Sequence, residues 1–114
     1  MTNKLPVLLL MCAFSTGALA EFVGPGDSPE LTTIKLARME KHDAEVALEG
    51  HIVKKIKAEH YLFKDDTGVI EVEIDNKDFR DIKVTPKTKI RIVGEIDKKW
   101  NATTIDIDFI ELAK

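Results

Sequence analysis

From Ala44 to the end of the chain, apolar residues recur at every second position, and that period admits little besides β-strand. Val46, Leu48, Gly50 and Ile52 alternate with Ala47, Glu49, His51 and Val53. Successive side chains of a strand point to opposite faces, so the pattern predicts a sheet with one face in a core and the other in water. Gly50 stands in the middle of the inward set. A glycine inside a strand marks a sharp bend or a bulge. A barrel needs such a bend, because one strand has to coil across both halves of the closed sheet.

The same period defines four more strands. His60 to Lys64 forms the second, with Tyr61 and Phe63 on one face. Asp65-Asp66-Thr67-Gly68 reads as a hairpin turn in which Gly68 is free to take positive φ. Val69 to Asp75 follows, with Ile70, Val72 and Ile74 inward. Asn76 to Ile82 breaks the period. Asn76 can cap a helical turn that sets Phe79 and Ile82 on one side, where they would plug a barrel end. Lys89 to Ile96 is the fourth strand, Asp97 to Asn101 a polar hairpin loop, and Thr103 to Leu112 the fifth strand, with Ile105, Ile107 and Phe109 inward. Five strands with a non-strand insert between the third and fourth is the order of an all-β, five-stranded OB-fold Greek-key barrel. An open antiparallel sheet or an SH3-like barrel also fits the strand count.

The N-terminal residues read differently. Lys4, the apolar run Leu5 to Phe14 and the small-residue site Ala18-Leu19-Ala20 make residues 1–20 a cleavable secretory signal. The run is about half the roughly 20 apolar residues of a spanning helix, so no membrane insertion is expected after cleavage. Cys12 raises the alternative of a lipoprotein, but Met11 stands where lipidation needs a small residue. Residues 21–28, with Gly24-Pro25-Gly26-Asp27, form a flexible lead-in, and 29–114 the barrel domain. Ser28, Pro29 and Glu30 carry helix-start signals, predicting a short helix from about Pro29 to Met39. Cleavage leaves 94 residues, enough for one core. That chain has no cysteine, so neither disulfide nor thiol chemistry is available. Its 16 Lys and Arg against 20 Asp and Glu give a net charge of −4.

The segments Val46-Ala-Leu-Glu-Gly50-His-Ile-Val, Tyr61-Leu-Phe-Lys-Asp65-Asp-Thr-Gly68-Val-Ile-Glu-Val-Glu-Ile74 and Ile92-Val-Gly94-Glu-Ile-Asp97, with Ile105-Asp-Ile107, together resemble the bacterial OB-fold family, small periplasmic stress-tolerance proteins of the YgiW/YdeI type. The resemblance spans the chain from the signal through the helix and barrel. It implies the OB barrel, a periplasmic location, a non-enzymatic role in envelope stress tolerance and no cofactor. It assigns no binding residue.

OB folds bind ligands on the outer face of strands two and three, between the first-second and fourth-fifth loops. Here that face holds Leu62, Lys64, Glu71 and Glu73, and the last loop holds Lys99 and Trp100. Nucleic acid is not an expected partner. A single-strand binder needs a basic groove and several stacking aromatics, whereas this face is acidic and Tyr61, Phe63, Phe79 and Phe109 are assigned to the core. Trp100 can stack on a sugar ring or accept a cation on its face, or it can fold back over the barrel end. Glu71, Glu73, Asp106 and Asp108 can attract cations, or can form a solvated face that discourages edge aggregation, with Lys89 and Arg91 pairing to them across strands. His42, His51 and His60 show no metal-ligand spacing and read as solvated, with His51 and His60 possible cross-strand neighbours. The chain carries no nucleophile elbow, phosphate loop or metal motif. The expectation is therefore a binding module for a wall fragment, a cationic compound or an envelope protein. The alternative is an interaction protein that docks on an outer-membrane partner and takes no small ligand.

Overall fold

The computed structural model describes residues 29–114, so the expected signal sequence (residues 1–20) and the expected lead-in (21–28, with Ser28) lie outside the described residues. Five strands close into a barrel in the order β1-β2-β3-β5-β4, with β4 returning to β1. They are β1 (Glu45–Lys57), β2 (His60–Asp65), β3 (Gly68–Glu73), β4 (Ile90–Lys99) and β5 (Ala102–Leu112). All pairs are antiparallel except β3 with β5. A 3-10 turn, Asn76–Phe79, separates β3 from β4.

The alternation does what it must. Val46, Leu48, Ile52, Phe63, Ile70, Val72, Ile90, Ile92, Ile96, Ile105 and Ile107 are all buried in one cluster. Burying each branched or aromatic side chain contributes about 1.5–3 kcal/mol. Phe79 and Ile82 pack half-buried against that cluster, and Phe79 meets Tyr61 edge-to-face with ring centroids 5.7 Å apart. The turn is capped by Asp75 rather than Asn76, since the Asp75 carboxylate accepts the Lys77 N–H at 3.2 Å.

β1 serves both halves of the barrel. Glu45 to Gly50 pair with β4, and from His51 onward the strand pairs with β2. Gly50 is required at the changeover for close approach: a Cβ there would stand 2.2 Å from the Lys64 carbonyl oxygen. The bulges themselves fall later, at Val53 and Ile56. Gly94 plays the same part on β4, where a Cβ would meet the Asp106 carbonyl at 2.2 Å.

Four further expectations are corrected. First, the helix is only α1 (Ile34–Ala37), and residues 29–33 are not helical. Leu31 instead bridges Ala47 in parallel, and the Thr32 N–H donates to the Ala47 carbonyl at 2.9 Å. Thr33 caps the helix, and the Asp65 carboxylate accepts the Ile34 N–H at 2.9 Å. The start is thus set at Ile34 by the local cap Thr33 together with a distant carboxylate, and not at Pro29. Ile34 and Ala37 are buried, while Leu31, Leu36 and Met39 are exposed.

Second, Gly68 does not have positive φ. The turn is held by Asp65, which accepts from the Thr67 N–H at 2.7 Å, the Thr67 hydroxyl at 2.7 Å and the Gly68 N–H at 3.1 Å. Third, the register of β4 on β5 shifts between Val93 and Gly94, opposite Asp108. Beyond that bulge Ile110, not Phe109, turns inward, and Phe109 lies half-buried outside with the Arg80 guanidinium 5.2 Å from its ring centroid. The fourth-fifth loop is also shorter than expected, because strand pairing continues to Lys99↔Ala102 and leaves only Trp100 and Asn101 in the turn.

Candidate functional site

The strand registers place the predicted residues on the outer face. Leu62 of β2 lies opposite Glu71 of β3, Lys64 opposite Val69, and His60 opposite Glu73. Lys64 and Glu73 are exposed, while Leu62 and Glu71 are half-buried. His60 Nδ1 lies 2.7 Å from Glu71 Oε2, so Glu71 is held by an imidazole. Lys99 Nζ donates to Asp97 at 2.8 Å. That hydrogen bond first, and then Asp97, Glu73 and Glu71 by charge, hold the Lys99 amine above its ordinary value. The end of the β4–β5 hairpin therefore leans electrostatically on the acidic face of β3.

At the tip of that hairpin Trp100 is 95% exposed, which excludes its folding back over the barrel. Tryptophan is buried on average in folded proteins, so a side chain left almost wholly in water, on a tight two-residue turn, is available to a partner.

The registers also assemble something the alternation could not reveal. Glu45 pairs with Glu95, Glu95 with Asp106, and Asp106 with Glu73, which faces His60. Four carboxylates thus lie in one row across β1, β4, β5 and β3, and the bulge adds Asp108. Like charges directly opposite one another on a sheet repel. Glu95 shows it: a carboxyl–carboxylate hydrogen bond to Asp108, then partial burial, then the charges of Asp108, Asp106 and Glu45 push it up to about 7. Asp106 is also raised, first by burial and then by Glu73, Asp108, Asp97 and Asp78. Lys89 and Arg91 do not relieve this row, contrary to expectation. They approach Glu49, each at 4.0 Å, and Arg91 also approaches Glu111 at 3.8 Å.

The expectation for two of the histidines, His51 and His60, is corrected too. His51 lies opposite Lys64 and is not a neighbour of His60. Its Nδ1 is buried with no hydrogen-bond partner among the described residues. His42 is exposed and accepts the Lys98 N–H at 3.1 Å. Among the described residues, no three His, Asp or Glu side chains are disposed to hold a metal ion. A cleft of about 310 Å³ opens where β1 changes partners, lined by Thr32, Glu49, His51, Asp65, Asp66 and Lys89 among others. None of these residues was singled out as a ligand contact from the sequence.

The model of the Bacterial OB fold (BOF) protein family matches residues 16–112. The chain belongs to the bacterial OB-fold family. It is 40% identical over 113 residues to the Calcium-regulated OB-fold protein CarO of Pseudomonas aeruginosa, covering 98% of this chain and 97% of that protein. It is 43% identical over 77 residues to Protein YgiW of Escherichia coli K12, a match that spans 68% of this chain and 59% of YgiW. The solved structure of YgiW from E. coli superposes with a TM-score of 0.74 at 39% identity, covering 82% of this chain and 99% of that one. The telomere capping protein Ten1 from S. pombe has a TM-score of 0.61 at 15% identity, covering 75% of this chain and 82% of that one, and shares the fold alone. Neither the description of this family nor the names of these relatives is that of an enzyme.

Proposed function

We propose that this bacterial OB-fold protein is a periplasmic binding module that contributes to envelope stress tolerance by capturing a cationic compound, with Trp100 and the carboxylate row as its contacts. The observation that carries this reading is Trp100, 95% exposed on a hairpin whose strands run into the acidic row. A cation over an indole face is attracted by about 0.5–1 kcal/mol at an exposed site and by about 2 kcal/mol when desolvated. The carboxylates Glu73, Asp106 and Glu95 supply the longer-range attraction that concentrates cations near the face. Neutralising that row also relieves repulsion already present in the fold, so cation binding and stability are linked. The relative named as calcium-regulated supports a connection to cation levels. The same charge argues against phosphate-bearing nucleic acid as a partner.

Fluorescence of the single tryptophan tests the reading. Tetralysine should change it saturably at submillimolar concentration, and Glu73→Gln with Asp106→Asn should weaken the effect. Calorimetry on Trp100→Ala should show the heat of binding reduced. A wall saccharide that changes the fluorescence where tetralysine has no effect up to millimolar concentration would replace this reading with wall-fragment recognition. If neither acts, and Trp100→Ala abolishes capture of one envelope protein, the docking alternative stands instead.

A further inference from the structure

The cleft at the changeover of β1 lies apart from the Trp100 hairpin and the acid row. Its walls come from three places. The segment Leu31–Thr33 runs beside β1 as far as the Ala47 bridge and then leaves to enter α1. β2 takes over the same edge only at His51↔Lys64. The turn after β2 brings in Asp65, Asp66 and Thr67, and Lys89 stands just before β4. Between these elements the outer residues Glu49 and His51 form the floor.

The polar groups here divide into those already committed and those that are not. Asp65 is committed, since its two oxygens accept from Ile34, Thr67 and Gly68. The Thr67 hydroxyl donates to Asp65 and accepts the Lys35 N–H at 3.0 Å. Asp66, on the exposed turn, takes part in no ion pair among the described residues. The Lys89 side chain is 57% exposed and reaches Glu49 only at 4.0 Å, the limit of an ion pair. Glu49 is shared with Arg91. His51 Nδ1 is buried and unpaired, a state that costs about 1–3 kcal/mol. One wall thus offers a weakly held cation and another an uncommitted anion. The volume, about 310 Å³, sits at the small end of the range of roughly 300–1,000 Å³ for ligand pockets.

We propose that this cleft is a second binding site, for a small zwitterion carrying an ammonium and a carboxylate group, of amino-acid or dipeptide size. The ligand's ammonium group meets Asp66 and its carboxylate meets Lys89. A simple cation or a simple anion satisfies only one wall and leaves the other as it was. The site needs neither Trp100 nor the carboxylate row, so it stands or falls independently of the function proposed above.

Amide NMR spectra of the purified protein titrated with glycylglycine provide the test, with ethylammonium chloride and sodium acetate as half-molecule controls. Glycylglycine should shift the amides of Gly50, His51 and Thr67 saturably, and each half-molecule should bind at least about tenfold more weakly, the equivalent of about 1.4 kcal/mol. Lys89→Met and Asp66→Asn, both on exposed side chains, should each raise the Kd about fivefold or more with the remaining spectrum unchanged. Trp100→Ala should leave that Kd unaltered. The proposal is overturned if the three amides fail to saturate, if either half-molecule shifts them as strongly as the dipeptide, or if both wall variants bind as the parent does.

Discussion

Two groups of carboxylates on this barrel show opposite electrostatics from the same chemical group. Asp65 sits at the β2–β3 turn with a ring of donors around it. Burial alone would raise its pKa, but hydrogen bonds from the Thr67 hydroxyl and the backbone N–H groups of Ile34, Thr67 and Gly68 outweigh burial and hold it below the ordinary aspartate value. Glu95 shares a hydrogen bond with Asp108, is partly buried, and lies among the charges of Asp108, Asp106 and Glu45, which together push it up to about 7. Hydrogen bonds to the charged form favour it, and neighbouring like charges disfavour it. The first carboxylate ties the N-terminal segment to the barrel. The second belongs to a surface that holds repulsion in reserve, which a bound cation or a proton can release.

The largest effect should come from breaking the tie. Asp65→Ala removes the acceptor for three backbone N–H groups, of which the Ile34 N–H is the one that starts α1. A lost cap and the unmade hydrogen bonds together should destabilise the domain by about 2–3 kcal/mol in chemical denaturation. Asp65→Asn keeps the shape and should lose less. If Asp65→Ala unfolds at the same denaturant concentration as the parent, Asp65 is not the tie described here.

A smaller effect, with the opposite sense, is expected from the acid row. The folded pKa of Glu95 lies above its ordinary value of 4.5. Its contribution to stability is therefore fully present below about pH 4.5 and is lost as pH rises through about 7. Asp65, whose folded pKa is lowered, contributes above its unfolded value and loses that contribution as the pH falls below it. The protein should therefore be most stable in mildly acidic solution and weaken on both sides. Glu95→Gln should stabilise it at pH 8 by about 0.5 kcal/mol, the scale of an exposed charge interaction, and should do little at pH 4.5. Thermal melts of the two proteins at both pH values decide it. An equal change at both would show that Glu95 carries no titration-linked strain.

The contrast also separates what local sequence can reveal from what it cannot. The inward sets of the first four strands, and of the fifth as far as Ile107, follow from period two, because within an unbroken strand each residue's face depends only on its neighbours. So does the pairing of Phe79 and Ile82 on one side of a turn. The start of α1 does not follow from Ser28-Pro29-Glu30: the chain enters the helix at Ile34, where Thr33 caps it and Asp65, 31 residues later, accepts the Ile34 N–H. The outward turn of Phe109 depends on one bulge in the β4–β5 register. The acid row is only partly visible for the same reason: Glu73, Asp106 and Asp108 read as an acidic face, but the joining of Glu45 and Glu95 to them does not. Glu45, Glu95, Asp106 and Glu73 are far apart along the chain, and only the registers of four strands bring them level. Trp100 was legible as a loop residue, but its exposure depended on β4 and β5 pairing up to its edge.

The smallest effect, and the one that sharpens the contrast most, is that of salt. The donors to Asp65 are neutral backbone N–H groups and a threonine hydroxyl, so no charge pair is there to be screened. The acid row consists of partly exposed like charges, and raising the ionic strength from about 0.01 M to 0.15 M shortens the screening length from about 30 Å to about 8 Å. At pH 8 sodium chloride should stabilise the parent by a few tenths of a kcal/mol, about the size of an exposed pair. Glu95→Gln should respond less, because the central charge of the row is gone. Asp65→Asn should respond as the parent does, since the row is intact in it. A salt response that disappears with Asp65 and survives the loss of Glu95 would reverse the assignment of tie and reserve, and with it the reason for placing cation capture on the row.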